Sequence, residues 1–239
     1  VIPALLPPAA CIRLANPLTP FHDTLRTTLL GSALLILSAN LRFAERLAQF
    51  EIGRVYWPRE GRVLPEEPRH LSITMTGPRQ SDSWLEAPAA PVDFYDLKGV
   101  VETLLKRLNV SDAHFVLTTH PTFGPRAARL YIGSQDAGIL GELHPQVRQA
   151  FDLPNQPVCV AELDVALLLA NSAYPFKVTP ISNFPAVRED LAIVVKEETA
   201  AEQVVQVIRQ AGGKLLRAVE LFDLYRGRGI PAGHKSLAY

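Results

Sequence analysis

The connections between the short apolar runs of this 239-residue chain limit its fold more than any other feature. Four such runs in the middle of the sequence are predicted to be strands, at 115–118, 130–133, 138–142 and 158–162. A short helix predicted at 146–151 separates the last two. Parallel neighbours need a crossover of about a dozen residues or more, and most of these connections are shorter. The sequence therefore predicts a mixed or antiparallel sheet with flanking helices.

Helical periodicity is clearest over 96–108, where the apolar side chains form one stripe. Leu97, Val101 and Leu104 belong to that stripe, and Lys98 and Lys106 stand opposite, as expected for a helix that covers a sheet. The other elements of the first part are a helix over 25–49, strands over 50–57 and 71–75, and a short helix over 165–170.

Prolines divide the chain. Residues 1–20 are proline-rich and are predicted to be an extended leading segment, and 175–182, with Pro175 and Pro180, is predicted to be a linker. The predicted domains are therefore 1–174 and 183–239. The second begins with an apolar strand at 191–195.

After that strand, Thr199 and Glu202 have the spacing of a capping box that starts a helix. Gly212 and Gly213 end the helix, and a second strand is predicted over 215–225. The order strand, helix, strand, turn, strand is typical of the opening of a ferredoxin-like fold.

Composition excludes several classes of protein. The 24 basic and 24 acidic side chains give zero net charge, so nucleic acid could be bound only through a local patch. The two cysteines imply no disulfide framework and fit a reducing cytosol. No apolar run reaches the roughly 20 residues that span a bilayer, and the sequence shows no signal peptide.

Two long phrases stand in the last third of the chain. They are Phe184-Pro-Ala-Val-Arg-Glu-Asp-Leu-Ala-Ile-Val-Val195 and Leu221-Phe-Asp-Leu-Tyr-Arg-Gly-Arg-Gly-Ile-Pro-Ala-Gly-His-Lys-Ser-Leu-Ala-Tyr239. Both resemble the anticodon-binding domain of the beta subunit of bacterial phenylalanyl-tRNA synthetases. Earlier phrases resemble the same subunit in the same order: Arg13-Leu-Ala-Asn-Pro-Leu-Thr19, Leu25-Arg-Thr-Thr-Leu-Leu30, Leu47-Ala-Gln-Phe-Glu-Ile-Gly-Arg-Val-Tyr56, Val92-Asp-Phe-Tyr-Asp-Leu-Lys-Gly99 and Gly141-Glu-Leu-His-Pro145.

The resemblance implies an α+β protein with two domains. Residues 1–174 would form a class II synthetase-like domain that has lost catalysis, and 183–239 a ferredoxin-like anticodon-binding domain. Because Tyr239 falls inside the expected third strand of that second domain, the chain is expected to be a fragment with an incomplete ferredoxin-like domain.

The function implied is a share in the ATP-dependent formation of phenylalanyl-tRNA in the cytoplasm. This segment would contact the alpha subunit and the anticodon side of tRNA(Phe), within a tetramer of two alpha and two beta subunits. The holoenzyme would use ATP and Mg²⁺, while no cofactor, metal or catalytic residue is expected in this chain. A stand-alone RNA-binding or scaffold protein built from the same modules is the alternative.

The expected loss of catalysis depends on two positions. Class II active sites use arginines to clamp ATP phosphates, because guanidinium groups match phosphate oxygens. If Gly53-Arg-Val-Tyr56 takes the place of the second class II motif, the phosphate-facing position falls on Trp57 or Pro58. If Gly141-Glu-Leu-His-Pro145 takes the place of the third, its arginine position falls on His144 or Pro145.

Six residues are candidates for RNA contact. A glycine-rich turn without an acid is flanked by the cations Arg226, Arg228 and Lys235, which could contact phosphates. Two aromatic residues, Phe184 and Tyr225, could stack on bases. The sixth candidate is Arg188, which belongs to the first resembling phrase. The alternatives are a solvated hairpin turn and aromatic side chains that complete a small core. Glu189 and His234 replace residues that are usually basic in the family, which lowers the local positive charge.

Overall fold

The computed structural model describes residues 11–19, 23–80, 84, 89–173 and 183–239. The chain divides into two compact units, Val1–Lys177 and Val178–Tyr239, and each is described by itself. The predicted linker, 175–182, and much of the predicted leading segment lie outside the described residues. No helix of the described part is long and apolar enough to cross a membrane.

The first unit is built on a six-stranded sheet in which every neighbouring pair is antiparallel. Along the sheet the order is β1-β2-β6-β5-β4-β3. The strands are β1 (Leu47–Arg54), β2 (Arg69–Thr76), β3 (Ala113–Leu117), β4 (Phe123–Ile132), β5 (Gln135–Leu143) and β6 (Val158–Asp164). This confirms the antiparallel sheet expected from the short connections.

Within its described residues, four α-helices flank this sheet: α1 (Leu30–Asn40), α2 (Phe94–Arg107), α3 (Pro145–Ala150) and α4 (Val165–Ala170). Because side chains alternate between the two faces of a strand, β6 contributes side chains to two hydrophobic cores. Cys159 and Ala161 face the core that α2 covers, whereas Val158 and Val160 face the core beneath α1 and α3. The central strands are therefore apolar on both faces.

The predicted helix over 25–49 is wrong at both ends. Residues 25–29 precede α1, and Arg26 Nε donates to the Arg54 carbonyl at 2.9 Å. After Asn40 the chain turns and enters β1, so Ala48 pairs with Met75 of β2 rather than continuing a helix. The predicted strand over 50–57 accordingly begins earlier, at Leu47, and ends at Arg54.

The second unit has a three-stranded antiparallel sheet in the order β7-β9-β8, covered by one helix. Its elements are β7 (Ala192–Lys196), α5 (Ala201–Gly212), a 3-10 turn (Gly213–Leu215), β8 (Asp223–Tyr225) and β9 (His234–Ala238). The core under α5 is formed by Val204, Val205, Leu237 and Tyr239. The predicted order of strand, helix and two strands is confirmed.

Two details of this unit differ from the sequence prediction. The strand predicted over 215–225 is reduced to Asp223–Tyr225, because Leu215 belongs to the 3-10 turn and residues 216–222 lie in no helix or strand. The predicted capping box is also shifted: Ala200 is the N-cap of α5, and Gln203 Oε1 accepts from the Ala200 N–H at 3.2 Å. Thr199 instead closes a turn through its own N–H to the Lys196 carbonyl.

Candidate nucleic-acid interface

The candidate cations lie in the loop between β8 and β9 and at the start of β9, and we call residues 226–235 the basic turn. Gly227, Gly229 and Gly233 all have positive φ, which side chains rarely tolerate. At Gly227 a Cβ atom would also lie 2.7 Å from the Tyr225 hydroxyl oxygen. That hydroxyl donates to the Arg228 carbonyl at 3.4 Å. The glycines therefore let the chain fold back closely beside Tyr225.

Arg226 is not free to meet a phosphate, because it is paired with Glu197. Its Nε donates to both carboxylate oxygens, at 3.0 and 3.1 Å, and Nη2 donates to Oε1. This hydrogen bonding with Glu197 raises the pKa of Arg226 and lowers the pKa of the Glu197 carboxyl. Both groups therefore carry their charges at neutral pH.

Lys235, at the start of β9, also contacts Glu197. Its Nζ donates to the Glu197 backbone carbonyl at 2.7 Å, and its charge contributes to the lowered pKa of the Glu197 carboxyl after the stronger effect of Arg226. Arg228 differs from both. It is exposed at the tip of the basic turn, and its guanidinium has no hydrogen bond or ion pair with another described residue.

The sheet separates Tyr225 from Lys235. Residues paired across antiparallel strands point to the same face, and Tyr225 pairs with Ser236, which pairs with Val194. Lys235 is two residues from Leu237, whose side chain is buried under α5, and so it shares the helix-covered face. Tyr225 therefore belongs to the open face of the sheet, opposite the helix.

The remaining candidates precede β7. Phe184 and Arg188 lie in an exposed segment that contains no helix or strand, before Leu191 pairs with Tyr239 through two backbone hydrogen bonds. The exposed fractions of Phe184 and Tyr225 are 84% and 46%, so neither side chain is buried in the core under α5. The Arg188 side chain has no hydrogen bond or ion pair with another described residue.

Glu197 is the residue of this surface that the sequence did not indicate. It stands 29 residues before Arg226, and only the pairing of β7 with β9 brings it to the basic turn. In the sequence it is one of two adjacent glutamates after an apolar strand, and no spacing signal connects it with the glycines.

In the first unit, the positions expected to replace ATP-clamping arginines have structural contacts of their own. The Trp57 indole N–H donates to the Thr27 carbonyl at 2.9 Å, and its ring meets His70 edge-on at 5.2 Å. His144 caps α3, where Nδ1 accepts from the Gln146 N–H and Pro145 is the first helical residue. These contacts fix the local fold.

A mostly buried polar cluster holds the start of α1 against this sheet. Glu162 of β6 accepts from the Thr28 hydroxyl and from the Leu29 N–H, and its Oε1 lies 2.7 Å from His70 Nδ1. The carboxylate and imidazole are 13% and 12% exposed, so the cluster is largely closed to solvent. Among the described residues, no group of three or more histidine, cysteine or carboxylate side chains could hold a metal ion.

Comparison with known families accounts for nearly the whole chain. The family described as the phenylalanyl tRNA synthetase beta chain CLM domain matches residues 4–165, and the ferredoxin-fold anticodon binding domain matches residues 182–239. The first match alone covers more than half of the sequence. The chain belongs to the phenylalanyl-tRNA synthetase beta chain family. The resemblance stated from the sequence phrases is thus confirmed.

Individual relatives agree with this family. The phenylalanine–tRNA ligase beta subunit of Symbiobacterium thermophilum is 44% identical over 235 residues, which cover 98% of this chain and 26% of that protein. The beta subunit of Clostridium tetani is 37% identical over 232 residues, which cover 95% of this chain and 28% of that protein. The chain therefore spans little more than a quarter of the length of these relatives.

The fold is also similar to that of a solved class II synthetase. The crystal structure of pyrrolysyl-tRNA synthetase from Desulfitobacterium hafniense aligns with a TM-score of 0.51 at 15% identity. The alignment covers 67% of this chain and 52% of that one. At this identity the likeness concerns the fold alone, and it confirms the synthetase-like architecture expected for this beta-chain family member.

Proposed function

We propose that this chain is the part of a phenylalanine–tRNA ligase beta subunit that contacts the anticodon side of tRNA(Phe) and the alpha subunit. Family membership and the match to an anticodon-binding domain support this assignment. One observation carries the RNA contact: Arg228 stands exposed on a glycine-rich turn, and its guanidinium has no hydrogen bond or ion pair with another described residue. A polyanion can approach such a turn closely, and phosphate contacts supply a large share of the affinity of many nucleic-acid-binding surfaces.

Contact with the alpha subunit is supported by apolar side chains on the surface of the first unit. Helix α1 is apolar on all sides, yet Leu35 and Ile36 are 63% and 49% exposed. A soluble helix of this kind is normally covered all round. On edge strand β1, Phe50 and Ile52 are 74% and 57% exposed beside an apolar groove of about 390 Å³. Exposed apolar surface of this extent is typical of an interface.

The chemistry would belong to the alpha subunit. In this proposal the holoenzyme, a cytoplasmic tetramer of two alpha and two beta subunits, uses ATP and Mg²⁺ to form phenylalanyl-tRNA. This chain provides binding surfaces and no reacting group. Trp57 and His144, the positions compared with ATP-clamping arginines, are engaged in structural contacts, which agrees with that division of roles.

The test is the salt dependence of tRNA binding. In a full-length beta subunit that contains this chain, assembled with its alpha subunit, Arg226, Arg228 and Lys235 are replaced together by alanine. Each lost phosphate contact should flatten the plot of log affinity against log salt by about 0.7 to 0.9. We expect the total change to reach about 2, with turnover at saturating tRNA nearly unchanged.

The matched control replaces three other cations of the same unit, Arg209, Lys214 and Arg217, by alanine. The net charge changes equally, so a general electrostatic effect would alter both variants alike. Equal flattening in the two, or an unchanged slope in the basic-turn variant, would contradict the proposed contact.

A further inference from the structure

Glu197 occupies the centre of the basic turn, although it belongs to the loop that follows β7. Its carboxylate receives the Arg226 side chain on both oxygens, while its backbone carbonyl receives Lys235 Nζ at 2.7 Å. The two cations are thus held by chemically different parts of one residue. A change of the carboxylate alone affects Arg226 and leaves the acceptor of Lys235 in place.

A carboxylate that receives a guanidinium on two oxygens imitates a phosphate group. Both anions present paired oxygens to the planar N–H donors of arginine. For Arg226 to contact RNA through the same donors, it must first leave Glu197. Lys235 would still be available, since an ammonium group has three protons and the Glu197 carbonyl takes one.

We propose that Glu197 is an internal competitor for phosphate, which holds Arg226 away from RNA and weakens binding by the basic turn. The inference rests on the proposed function, because it assumes that the basic turn contacts tRNA. It makes Glu197 a positioning residue for that contact. Of the three cations, Arg228 then contacts phosphate without an internal competitor, and Arg226 contributes only after the ion pair opens.

The decisive variant is Glu197→Gln in the assembled full-length subunits, with a tRNA(Phe) transcript as the probe. Glutamine has nearly the same shape but no charge, and it retains the backbone acceptor of Lys235. Affinity should rise about two- to fivefold at low salt, which corresponds to the usual strength of an exposed ion pair. The log–log salt slope should steepen by about 0.7, as expected for one additional phosphate contact.

Glu198→Gln is the matched control. This variant removes the same charge from the neighbouring residue, but Glu198 is paired with Lys196, at 3.9 Å, and not with Arg226. Glu198→Gln should change the affinity and the salt slope less than Glu197→Gln does. The double variant Glu197→Gln/Arg226→Ala completes a cycle, and it should bind no better than Arg226→Ala alone, because the gain passes through Arg226.

The outcomes separate this inference from the function beneath it. If the triple alanine variant flattens the slope but Glu197→Gln leaves affinity unchanged or lowers it, the competitor role is refuted and the RNA contact stands. If Glu198→Gln raises affinity equally, the effect is general electrostatics and the inference is refuted. If the triple variant changes nothing, the proposed RNA contact fails, and the role of Glu197 fails with it.

Discussion

Gly138 shows how closely two strands of the first unit approach. It lies in β5 with φ of +138°, and a Cβ atom there would be 2.2 Å from the backbone oxygen of Glu162 and 2.8 Å from the Leu163 Cα. No rotamer change relieves a collision with backbone. We expect Gly138→Ala to lower the free energy of unfolding by about 2–4 kcal/mol, from strain and displaced packing.

Gly99 provides the control for that substitution. It lies inside α2, and a Cβ atom there would meet nothing within 4 Å. Gly99→Ala should therefore raise the free energy of unfolding by up to about 1 kcal/mol through helix propensity. Urea unfolding of both variants measures the difference. A Gly138→Ala variant as stable as the unchanged chain would refute the close approach of β5 and β6.

The candidate site was predictable from the sequence only where its residues are close neighbours along the chain. Glycines spaced around Arg226 and Arg228 indicate an open turn, because glycine tolerates positive φ and the residues are neighbours in sequence. The partner of Arg226 was not predictable, since Glu197 reaches it only through the register of β7 and β9. Likewise, the separation of Tyr225 from Lys235 follows from strand pairing.

Among the elements, α2 was predicted nearly correctly because its apolar stripe is long and regular. The apolar stripe of the helix faces the sheet. Asp93 caps the start of the helix in a capping box: its carboxylate accepts from the Asp96 N–H, and the Asp96 carboxylate accepts from the Asp93 N–H at 2.7 Å. Arg79, from a distant loop, binds both carboxylates. The helix begins at Phe94, two residues before the predicted start, and no sequence signal indicates that Arg79 binds there.

The start of α2 should make stability depend on pH. Burial raises the pKa of the Asp96 carboxyl, but hydrogen bonds from Arg79 and from the Asp93 N–H outweigh it, and the pKa lies below its ordinary value of 3.8. A depressed pKa in the folded state means that the stabilisation is present above about pH 4 and is lost as the pH falls through the folded-state pKa.

Asp96→Asn tests this dependence. At pH 7 the variant should lose about 0.3–1 kcal/mol of unfolding free energy, the usual effect of an acidic residue at a helix start. The difference from the unchanged chain should shrink below pH 4, where the carboxyl of the unchanged chain becomes protonated. Urea unfolding at pH 7, 5, 4 and 3 gives the comparison. A difference that stays constant down to pH 3 would show that the charge of Asp96 contributes nothing.

Helix α1 shows where element prediction failed, and the reason is physical. Apolar residues recur at helical spacing through Ala44 and Ala48, so periodicity alone extends the helix to that point. The chain instead forms strand β1, in which Leu47 to Arg54 pair residue by residue with β2. The paired residues lie between 15 (Arg54 with Arg69) and 29 (Leu47 with Thr76) positions apart in the sequence. Short-range periodicity does not contain that information.

Across the whole molecule, the two units differ in the size of their cores. Within the described residues, the first unit has clusters of sixteen and ten buried side chains on the two faces of its sheet. The second has one cluster of four, on one face only. Hydrophobic burial is the main favourable contribution to folding, so the second unit should have the smaller free energy of opening.

Amide hydrogen exchange measures that free energy separately in each unit of the same sample. We expect the amides of β9, the central strand of the second sheet, to exchange at least about tenfold faster than those of β6 in the first. The comparison uses central strands because edge strands exchange by fraying. Val204→Ala in the second unit should accelerate amide exchange in β9 further and leave the exchange rates of β6 unchanged, since Val204 packs in the smaller core. Equal protection of β6 and β9 would show that core size does not set the order in which the units open.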